Sequence, residues 1–394
     1  MRILLANFSK MADDTGGVSK VTCAFSNEML RRKHTVSLVY VDGSEKPFFY
    51  PIDSHVPLYD LCRMDGKLVK FPTRYKIFRE FLRPFDIRHA RELNDRFVMK
   101  FLIENVKKVL QLTKPDVIIS SQPLASRIFL CQIETEIPVI TMSHGDPEDY
   151  FHTYPVEELP ALGKSSACQV LLPSFVEALK TRFPDLLVEV IGNVVPQFKP
   201  VDLSLEKSIN KIIFVGRLVQ NTKQPHLLIE AFNKICRDIS ASNWIVELWG
   251  AGSDSRFGKK LSYMIHKFNL ESKVFIKGTT HDVEAVLRQG DIFAMPSRYE
   301  GFGLSLAEAM SIGLPSIGFK SCSAVNELIV DGENGFLCDD GFDDFAENLL
   351  QLMKDRALRV RMGSRAHESM KQYRAEIIWD KWENLIQRVI REDF

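Results

Sequence analysis

The chain alternates short apolar runs with stretches in which apolar residues recur every three or four positions. Arg2–Phe8 and Thr35–Val41 have the composition of strands. A helical stripe lies between them, formed by Val18, Val21, Phe25 and Met29. Continuous apolar runs, typical of strands buried on both faces, follow at Asp116–Ser120, Pro138–Met142 and Gln169–Leu172. Because strands alternate with helices, we predict right-handed crossovers and a parallel sheet.

A second series of the same kind begins after the polar, Pro-containing stretch Asn193–Asn210, which we interpret as a linker. The pattern predicts strands at Lys211–Val215, Trp244–Trp249, Val274–Ile276, Ile292–Met295 and Pro315–Gly318. Pro225–Ile239 is predicted as a helix, and Ile377–Ile390 as the last one. With 394 residues, two cores are expected.

We therefore predict two doubly wound, Rossmann-like α/β domains facing a central cleft. The first covers residues 1–195 and takes back the C-terminal helix, 376–394; the second covers residues 196–375. In such sheets ligands bind beyond the carboxyl ends of the strands, so the chemistry is sought in the loops that follow them.

Composition narrows the class of protein further. Fifty-one basic residues balance fifty-one acidic ones, which gives no overall signal for nucleic acid. The seven cysteines are scattered without a C-x-x-C pair, which argues against a disulfide framework or zinc site and fits a reducing cytoplasm. The apolar start is too short for a signal peptide, and no run of about 18 apolar residues occurs, so any membrane contact is expected to be peripheral.

Charge is nevertheless uneven along the chain. Between Arg63 and Lys108 there are thirteen Lys and Arg residues against six Asp and Glu. From Lys67 to Arg83 the basic residues are interleaved with apolar and aromatic ones. Two interpretations stay open: reversible docking on an anionic membrane, or a solvated basic face over ordinary core residues.

The strongest local motif is Tyr299–Met310, which follows a predicted strand and opens a helix. Its glycines, Gly301 and Gly303, let the backbone approach a ligand, and the amides at the helix start favour an anion such as a diphosphate. Glu300 precedes the helix and Glu308 lies in its second turn, so one carboxylate can face a sugar ring while the other reaches a ribose. The alternative is a glycine turn followed by Ala-rich helix packing.

A basic pair follows the first strand of the second series. Gly216-Arg217 ends that strand and Lys223 comes six residues after Arg217. An arginine fork and a mobile lysine suit a diphosphate, whose charge grows as a glycosidic bond breaks. The alternative is two solvated surface cations.

Three weaker candidates complete the set. Gly16-Gly17 follows the first strand and is either a flexible turn or a contact to a donor phosphate or sugar. His144, directly after a strand, is either structural or placed to meet a hydroxyl group. Gly250 and Gly252 resemble part of a dinucleotide fingerprint, but Ser255 replaces its third glycine, so the motif is weak evidence for NAD.

Together these residues resemble the family 4 retaining glycosyltransferases of the bacterial surface-polysaccharide type, which have the GT-B fold. The resemblance extends over nearly the whole chain. It implies an acceptor-side N-terminal domain and a nucleotide-sugar-binding C-terminal domain. The most specific part is Arg217, Lys223 and the pair Glu300 and Glu308.

The resemblance also implies a role for each residue. Arg217 and Lys223 would hold the diphosphate of the donor, Glu300 the sugar, and Glu308 the ribose. The remaining expected donor contacts are Gly16, Gly17, Gly216, Gly250, Phe275, Ile276, Phe302, Gly303 and Leu304. His144 matches the histidine of the family's cleft and is counted with the catalytic residues.

Two segments depart from the family pattern. Ile191-Gly192-Asn193-Val194 stands where the family often has Pro-Asn-Gly-Val, and Lys223-Gln224 stands where Lys-Gly is usual. Neither departure removes a catalytic group.

The expected function is transfer of a hexose or N-acetylhexosamine from a UDP-sugar, with GDP-sugar as the alternative, to a saccharide acceptor that is free or lipid-linked. The reaction would retain configuration and need neither metal nor cofactor. No D-x-D motif accompanies the candidate site, and Asp13-Asp14 and Asp339-Asp340 are expected in remote loops. The protein would act in the cytoplasm or on the inner face of the cell membrane. The alternatives are a GT-B epimerase of UDP-sugars and a non-catalytic sugar-nucleotide-binding subunit.

Overall fold

The computed structural model describes residues 1–83 and 85–391, which separate into two units. The N-terminal unit comprises Met1–Gly192 and the chain from Trp379 onward, and the C-terminal unit comprises Asn193–Ile378. Each unit has one sheet, and the strand pairings found among the described residues are parallel. This confirms the prediction of two Rossmann-like α/β domains.

The sheet of the N-terminal unit has seven strands in the described residues, in the order β3-β2-β1-β4-β5-β6-β7. They are β1 (Arg2–Asn7), β2 (Thr35–Tyr40), β3 (Leu58–Asp60), β4 (Val117–Ser120), β5 (Val139–Met142), β6 (Ala167–Val170) and β7 (Val188–Val190). The central strands β4, β5 and β6 are buried along their whole length, since helices cover both faces.

The helices of this unit are α1 (Gly17–Arg31), α2 (Thr73–Leu82), α3 (Ile87–Phe97), α4 (Ile103–Thr113), α5 (Pro123–Arg127), α6 (Glu148–Thr153), α7 (Leu159–Lys164) and α8 (Phe175–Lys180). A π-helical turn, Val98–Leu102, joins α3 to α4. The aromatic residues Phe71 and Tyr75 near α2 pack against the apolar core of the unit.

The C-terminal unit has a six-stranded sheet within the described residues, in the order β10-β9-β8-β11-β12-β13. Its strands are β8 (Asn210–Val215), β9 (Trp244–Trp249), β10 (Val274–Gly278), β11 (Ile292–Met295), β12 (Ser316–Phe319) and β13 (Gly335–Cys338). Its helices are α9 (Pro225–Ile235), α10 (Arg256–Lys267), α11 (Val283–Leu287), α12 (Leu304–Ser311), α13 (Val325–Leu328), α14 (Asp343–Lys354) and α15 (Arg356–Ser369).

The last helix, α16 (Ala375–Arg391), begins in the C-terminal unit, and from Trp379 onward it belongs to the N-terminal one. Within the N-terminal unit, Phe25 of α1 meets Trp379 and Trp382 edge to face, at centroid distances of 5.9 and 5.2 Å. Arg32 donates to Glu383 at 2.7 Å. Aromatic packing and an ion pair therefore attach this helix to α1.

The predicted elements are present, with differences at several of their ends and in the edge strands. Strand β6 starts two residues before the predicted Gln169, and α9 ends at Ile235 rather than Ile239. Strands β3, β7 and β13 were missed, all at sheet edges. An edge strand is short and covered on fewer sides, so it lacks the long apolar run that identified the central strands.

Candidate active site

The loops after β8 and β9 are hydrogen-bonded to each other at the carboxyl edge of the C-terminal sheet. The Gly216 amide donates to the Trp249 carbonyl at 2.9 Å, and the Leu218 amide to the Ala251 carbonyl at 2.8 Å. Gly250 has φ +149°, and a Cβ there would stand 1.9 Å from the carbonyl oxygen of Gly216. Only glycine permits this approach, so Gly216 and Gly250 form one backbone surface.

The start of helix α12 is held against the same edge. Gly303 precedes the helix with φ +74°, a left-handed conformation that glycine adopts at no steric cost. The Ser305 hydroxyl donates to the Val215 carbonyl at 2.9 Å, which ties the first turn of α12 to the end of β8. Strands β8 and β11 are neighbours in the sheet. The first amides of α12, which have no acceptor within the helix, therefore lie beside the loop that carries Arg217.

Two of the predicted catalytic residues are in direct contact. The Lys223 ammonium donates to both carboxylate oxygens of Glu300, at 2.5 and 2.6 Å. The two loops are also joined by their backbones, because the Arg298 amide donates to the Thr222 carbonyl at 2.8 Å. Arg217 is exposed and makes no ion pair in the described part of the chain. This edge therefore offers one uncompensated cation and a second, Lys223, held by a carboxylate that a ligand can replace.

The other residues of the glycine-rich motif occupy distinct places. Phe302 is buried with its ring against Tyr373, at a centroid distance of 5.1 Å, so only its backbone faces a ligand. Glu308 is 5% exposed and lies in the second turn of α12. The contact of Tyr373 and the hydrogen bond from Ser305 could not be predicted from the sequence, because neither belongs to a motif with a recognised spacing.

Phe275 and Ile276 lie in β10, at the sheet edge and two strands away from β8. Their strand is nevertheless linked to the glycine surface, since the Gly250 amide donates to the Gly278 carbonyl at 2.7 Å. The carboxyl end of β10 is Lys277-Gly278, so these two residues, rather than Phe275 and Ile276, lie level with the Gly250 loop.

Gly16 and Gly17 lie in the N-terminal unit, at the start of α1. The Gly16 amide donates to an oxygen of Asp14 at 3.1 Å, and the Ser19 hydroxyl to the other oxygen at 2.5 Å. Asp42 accepts from the amides of Met11 and Ala12, so carboxylates shape this loop. Asp14 therefore shapes the loop of Gly16 directly.

His144 follows β5, and its surroundings are unusual for a structural histidine. Burial lowers the pKa of the imidazole to about 4, so the ring is neutral at pH 7. Its Nε2 atom is buried and has no hydrogen-bond partner among the described residues. The same holds for Ser121 Oγ and Gln169 Oε1, in or directly after β4 and β6, the strands on either side of β5. These atoms are available to hydrogen-bond a polar ligand or water. Ser121 and Gln169 lie in no recognised motif, so the sequence did not single them out.

The candidate residues thus divide between the units. Those in the C-terminal unit are Gly216, Arg217, Lys223, Gly250, Phe275, Ile276, Glu300, Phe302, Gly303, Leu304 and Glu308; those in the N-terminal unit are Gly16, Gly17 and His144. Among the described residues no three His, Cys, Asp or Glu side chains form a group able to hold a metal ion. In the same part of the chain, no helix combines the length and apolarity needed to span a membrane.

The C-terminal unit matches a known family model. Residues 196–369 match the model described as glycosyl transferases group 1.

Several relatives at the sequence level are named glycosyltransferases. N-acetyl-α-D-glucosaminyl L-malate synthase of Bacillus anthracis is 32% identical over 176 residues, which is 44% of this chain and 44% of that protein. The chain thus aligns with less than half of that relative's length. The amylovoran biosynthesis glycosyltransferase AmsD of Erwinia amylovora is 24% identical over 95% of this chain and 96% of its own.

At the structural level the chain is similar to TarM of Staphylococcus aureus, solved with fondaparinux, α-GlcNAc-glycerol and UDP. The TM-score is 0.75 at 18% identity, over 98% of this chain and 100% of that one. The fold is therefore GT-B, as the resemblance implied.

Proposed function

We propose that this protein is a retaining glycosyltransferase that moves a hexose or N-acetylhexosamine from a UDP-sugar to a saccharide acceptor. The observation that carries the proposal is the arrangement at the carboxyl edge of β8 and β11. There Arg217, the Lys223–Glu300 pair and the start of α12 are held together by the Ser305 and Gly250 contacts. Two cations and a helix start form an anion site suited to a diphosphate.

The Lys223–Glu300 contact suggests how the donor enters the site. A diphosphate attracts the Lys223 ammonium away from Glu300, and the freed carboxylate then accepts hydrogen bonds from hydroxyl groups of the donor sugar. Arg217 forms a fork with the same diphosphate, and the Gly216 and Gly250 backbone leaves room for it. Glu308 accepts from the ribose. As the glycosidic bond breaks, charge on the leaving diphosphate grows, and the cations stabilise it most at that point.

Retention follows in this proposal from front-face attack. The acceptor hydroxyl approaches on the side of the departing diphosphate, and a phosphate oxygen takes its proton. No carboxylate nucleophile is required, which agrees with the use of Glu300 as a hydrogen-bond acceptor bound to Lys223. His144, neutral at pH 7, would accept or donate a hydrogen bond to a hydroxyl group of donor or acceptor.

The names and contents of similar proteins support the choice of substrates. TarM was solved with UDP, one relative is named N-acetyl-α-D-glucosaminyl L-malate synthase, and another is named an amylovoran biosynthesis glycosyltransferase. UDP-sugars are therefore the favoured donors, with GDP-sugars as the alternative. The favoured process is synthesis of a polysaccharide or lipopolysaccharide on the cytoplasmic side of the membrane, with a free or lipid-linked acceptor.

The test is release of nucleotide diphosphate from a panel of UDP- and GDP-sugars, followed by transfer to saccharides and NMR of the product's anomeric centre. We expect Lys223→Ala and Glu308→Ala each to reduce the rate by about tenfold to a hundredfold, since each loses a charged hydrogen bond to the donor. Lys234→Ala removes a lysine paired with Asp343 away from this edge and should retain the parent rate. Parent-like rates in both site variants contradict the proposal; interconversion of UDP-sugars without release indicates an epimerase.

Metal independence is part of the same proposal. Arg217 and Lys223 stand where a metal would otherwise neutralise the diphosphate. Removing a metal ion that stabilised the leaving diphosphate would lower the rate far more than twofold. Since the two cations replace such an ion, we expect EDTA to leave the rate within about twofold of that of the untreated enzyme. A collapse of the rate that Mg²⁺ or Mn²⁺ reverses contradicts this assignment.

We also propose that the basic, apolar surface around α2 contacts an anionic membrane. The side chains of Ile77, Phe78 and Phe81 are 67%, 54% and 66% exposed, and Phe85 is 81% exposed. Lys70, Arg74 and Lys76 are close to them along the chain. Apolar groups suit the bilayer interface and basic groups its anionic headgroups. The fraction of protein that floats with vesicles should rise with their content of anionic lipid and fall as the salt concentration increases. Equal recovery of protein with neutral and anionic vesicles would contradict the contact.

A further inference from the structure

A cavity of about 310 Å³ lies between helices α2 and α3 in the N-terminal unit. It is lined by Arg79, Arg83, Ile87, Ala90, Arg91 and Asn94. Half of these residues are arginines, which can present planar guanidinium forks to one ligand. The cavity is large enough for a small polar ligand or headgroup.

The arginines are held in place from both helices. Arg79 of α2 donates to the Asn94 side chain of α3 at 3.0 Å, and its guanidinium stands 5.2 Å from the centre of the Phe71 ring. Arg91 of α3 donates to the carbonyl and the hydroxyl of Thr153, and lies 3.9 Å from the centre of the Tyr154 ring. Arg79 and Arg91 are thus ordered before any ligand arrives, which lowers the entropic cost of binding.

The pocket is not neutralised from within. Among the described residues, Glu80 is the carboxylate that pairs with its arginines, at 2.9 Å from Arg79 and 3.7 Å from Arg83. Arg91 makes no ion pair in that part of the chain. The nearby Glu158 is buried, and desolvation together with Asp95 raises its pKa to about 9, so it adds no full charge at pH 7. Three guanidinium groups face one carboxylate, which leaves a net positive cavity.

The apolar part of the pocket's lining is Ile87 and Ala90. The exposed side chains of Ile77 and Phe81 lie on the face of α2 opposite Arg79, outside the pocket. Arginine clusters recognise phosphate groups through paired hydrogen bonds, whereas a carboxylate ligand would satisfy fewer of these donors.

We propose that the cavity between α2 and α3 is a binding site for a phosphate ester, with Arg79, Arg83 and Arg91 holding the phosphate group. The site is separate from the donor site in the C-terminal unit. This phosphate site rests on the proposed function in one respect only: the proposed function explains why a phosphate ester would be available to the protein. The phosphate group belongs either to a lipid headgroup or to a soluble phosphate ester.

The test compares two double variants that each remove two arginine charges. Arg79→Gln with Arg83→Gln alters the pocket, and Arg361→Gln with Arg365→Gln, at two exposed positions of α15 in the C-terminal unit, is the matched control away from the pocket and from the surface around α2. Inorganic phosphate is titrated by calorimetry with UDP present, which keeps phosphate out of the donor site. We expect the pocket variant to bind phosphate about tenfold more weakly or worse, and the control within about twofold of the parent.

Vesicles distinguish the two sources of the phosphate group. Phosphatidylcholine vesicles with and without phosphatidic acid are used at constant salt. If the ligand is a lipid headgroup, the pocket variant loses about tenfold in partitioning and the control loses much less. If the ligand is soluble, the pocket variant loses phosphate binding while both variants partition equally.

Two outcomes would overturn the site: no phosphate binding by the parent in the presence of UDP, or equal losses of phosphate binding in the two double variants. Circular dichroism and melting temperature show whether each variant is folded. Should Arg79→Gln perturb α2 through its contact to Asn94, the single variant Arg83→Gln repeats the comparison, because Arg83 is 68% exposed. These readouts are independent of sugar transfer, so a failed pocket and a failed transferase assignment are separable.

Discussion

The two units place their candidate residues in different ways. In the C-terminal unit, backbone does most of the positioning: Gly250 packs on Gly216, Gly303 starts α12, and Ser305 ties α12 to β8. In the N-terminal unit, carboxylate side chains hold the loop before α1: Asp14 accepts from the Gly16 amide, and Asp42 from the amides of Met11 and Ala12. The backbone arrangement leaves no room for a Cβ at its closest approach, whereas the side-chain arrangement depends on charge.

The largest effect that would sharpen this contrast is expected for Gly250→Ala. Its Cβ would meet the Gly216 carbonyl at 1.9 Å, so the loops must separate, and we expect the free energy of unfolding to fall by more than about 3 kcal/mol. Chemical denaturation of parent and variant measures the difference.

Gly332→Ala is the matched control. Gly332 also has a positive φ, +76°, but nothing lies within 4 Å of a Cβ there. Only the backbone strain remains, about 1–2 kcal/mol. Equal costs at both positions would show that conformation, not the close approach of the two loops, requires glycine at position 250.

A smaller effect, dependent on pH, is expected from the buried acids of the N-terminal unit. Asp95 and Glu158 are each 2% exposed, and one arginine, Arg127, lies 3.2 Å from Asp95. Burial and the neighbouring Asp95 raise the pKa of Glu158 to about 9. Between its unfolded pKa, near 4.5, and about 9 the folded state holds the extra proton, so stability is full below this window and is lost as pH rises through it.

We therefore expect the parent to lose more stability between pH 5 and 9 than Glu158→Gln, by at least about 1.4 kcal/mol, the equivalent of one pKa unit. Denaturation curves at pH 5, 7 and 9 provide the measurement. Glu157→Gln changes the exposed neighbour and should follow the parent. Parallel pH profiles for parent and Glu158→Gln would contradict the shift.

The smallest effect concerns a departure from the family pattern. Gln224 stands where the family usually has glycine, and its φ is +47°, a left-handed conformation that costs a side chain about 1–2 kcal/mol. Gln224→Gly should relieve this strain, offset in part by the greater freedom of the unfolded chain. We expect a net gain of about 0.5 kcal/mol. Gln220→Gly nearby, where φ is not positive, should lose stability instead; a loss in both would contradict the interpretation.

Prediction from sequence succeeded where one local pattern decided the outcome. Apolar runs identified Ile292–Met295 and Trp244–Trp249 to the residue, the first fully apolar and buried throughout, the second interrupted by Glu247 alone. Gly303 was recognised because a helix start after a strand requires a turn. The prediction was weakest between Phe48 and Arg91, where α2 and β3 lie, because their apolar residues divide between core and solvent and show no clean period.

The alternation of apolar runs and helical stripes was sufficient to determine two parallel sheets, because burial on both faces demands it. Tertiary structure decided which side chains meet. Lys223 and Glu300 are 77 residues apart, and their contact depends on β8 and β11 being neighbours. The arginine pocket likewise depends on how α2 folds back on α3. Such contacts are made by chain segments brought together through strand order and helix packing, and no local spacing of residues encodes them.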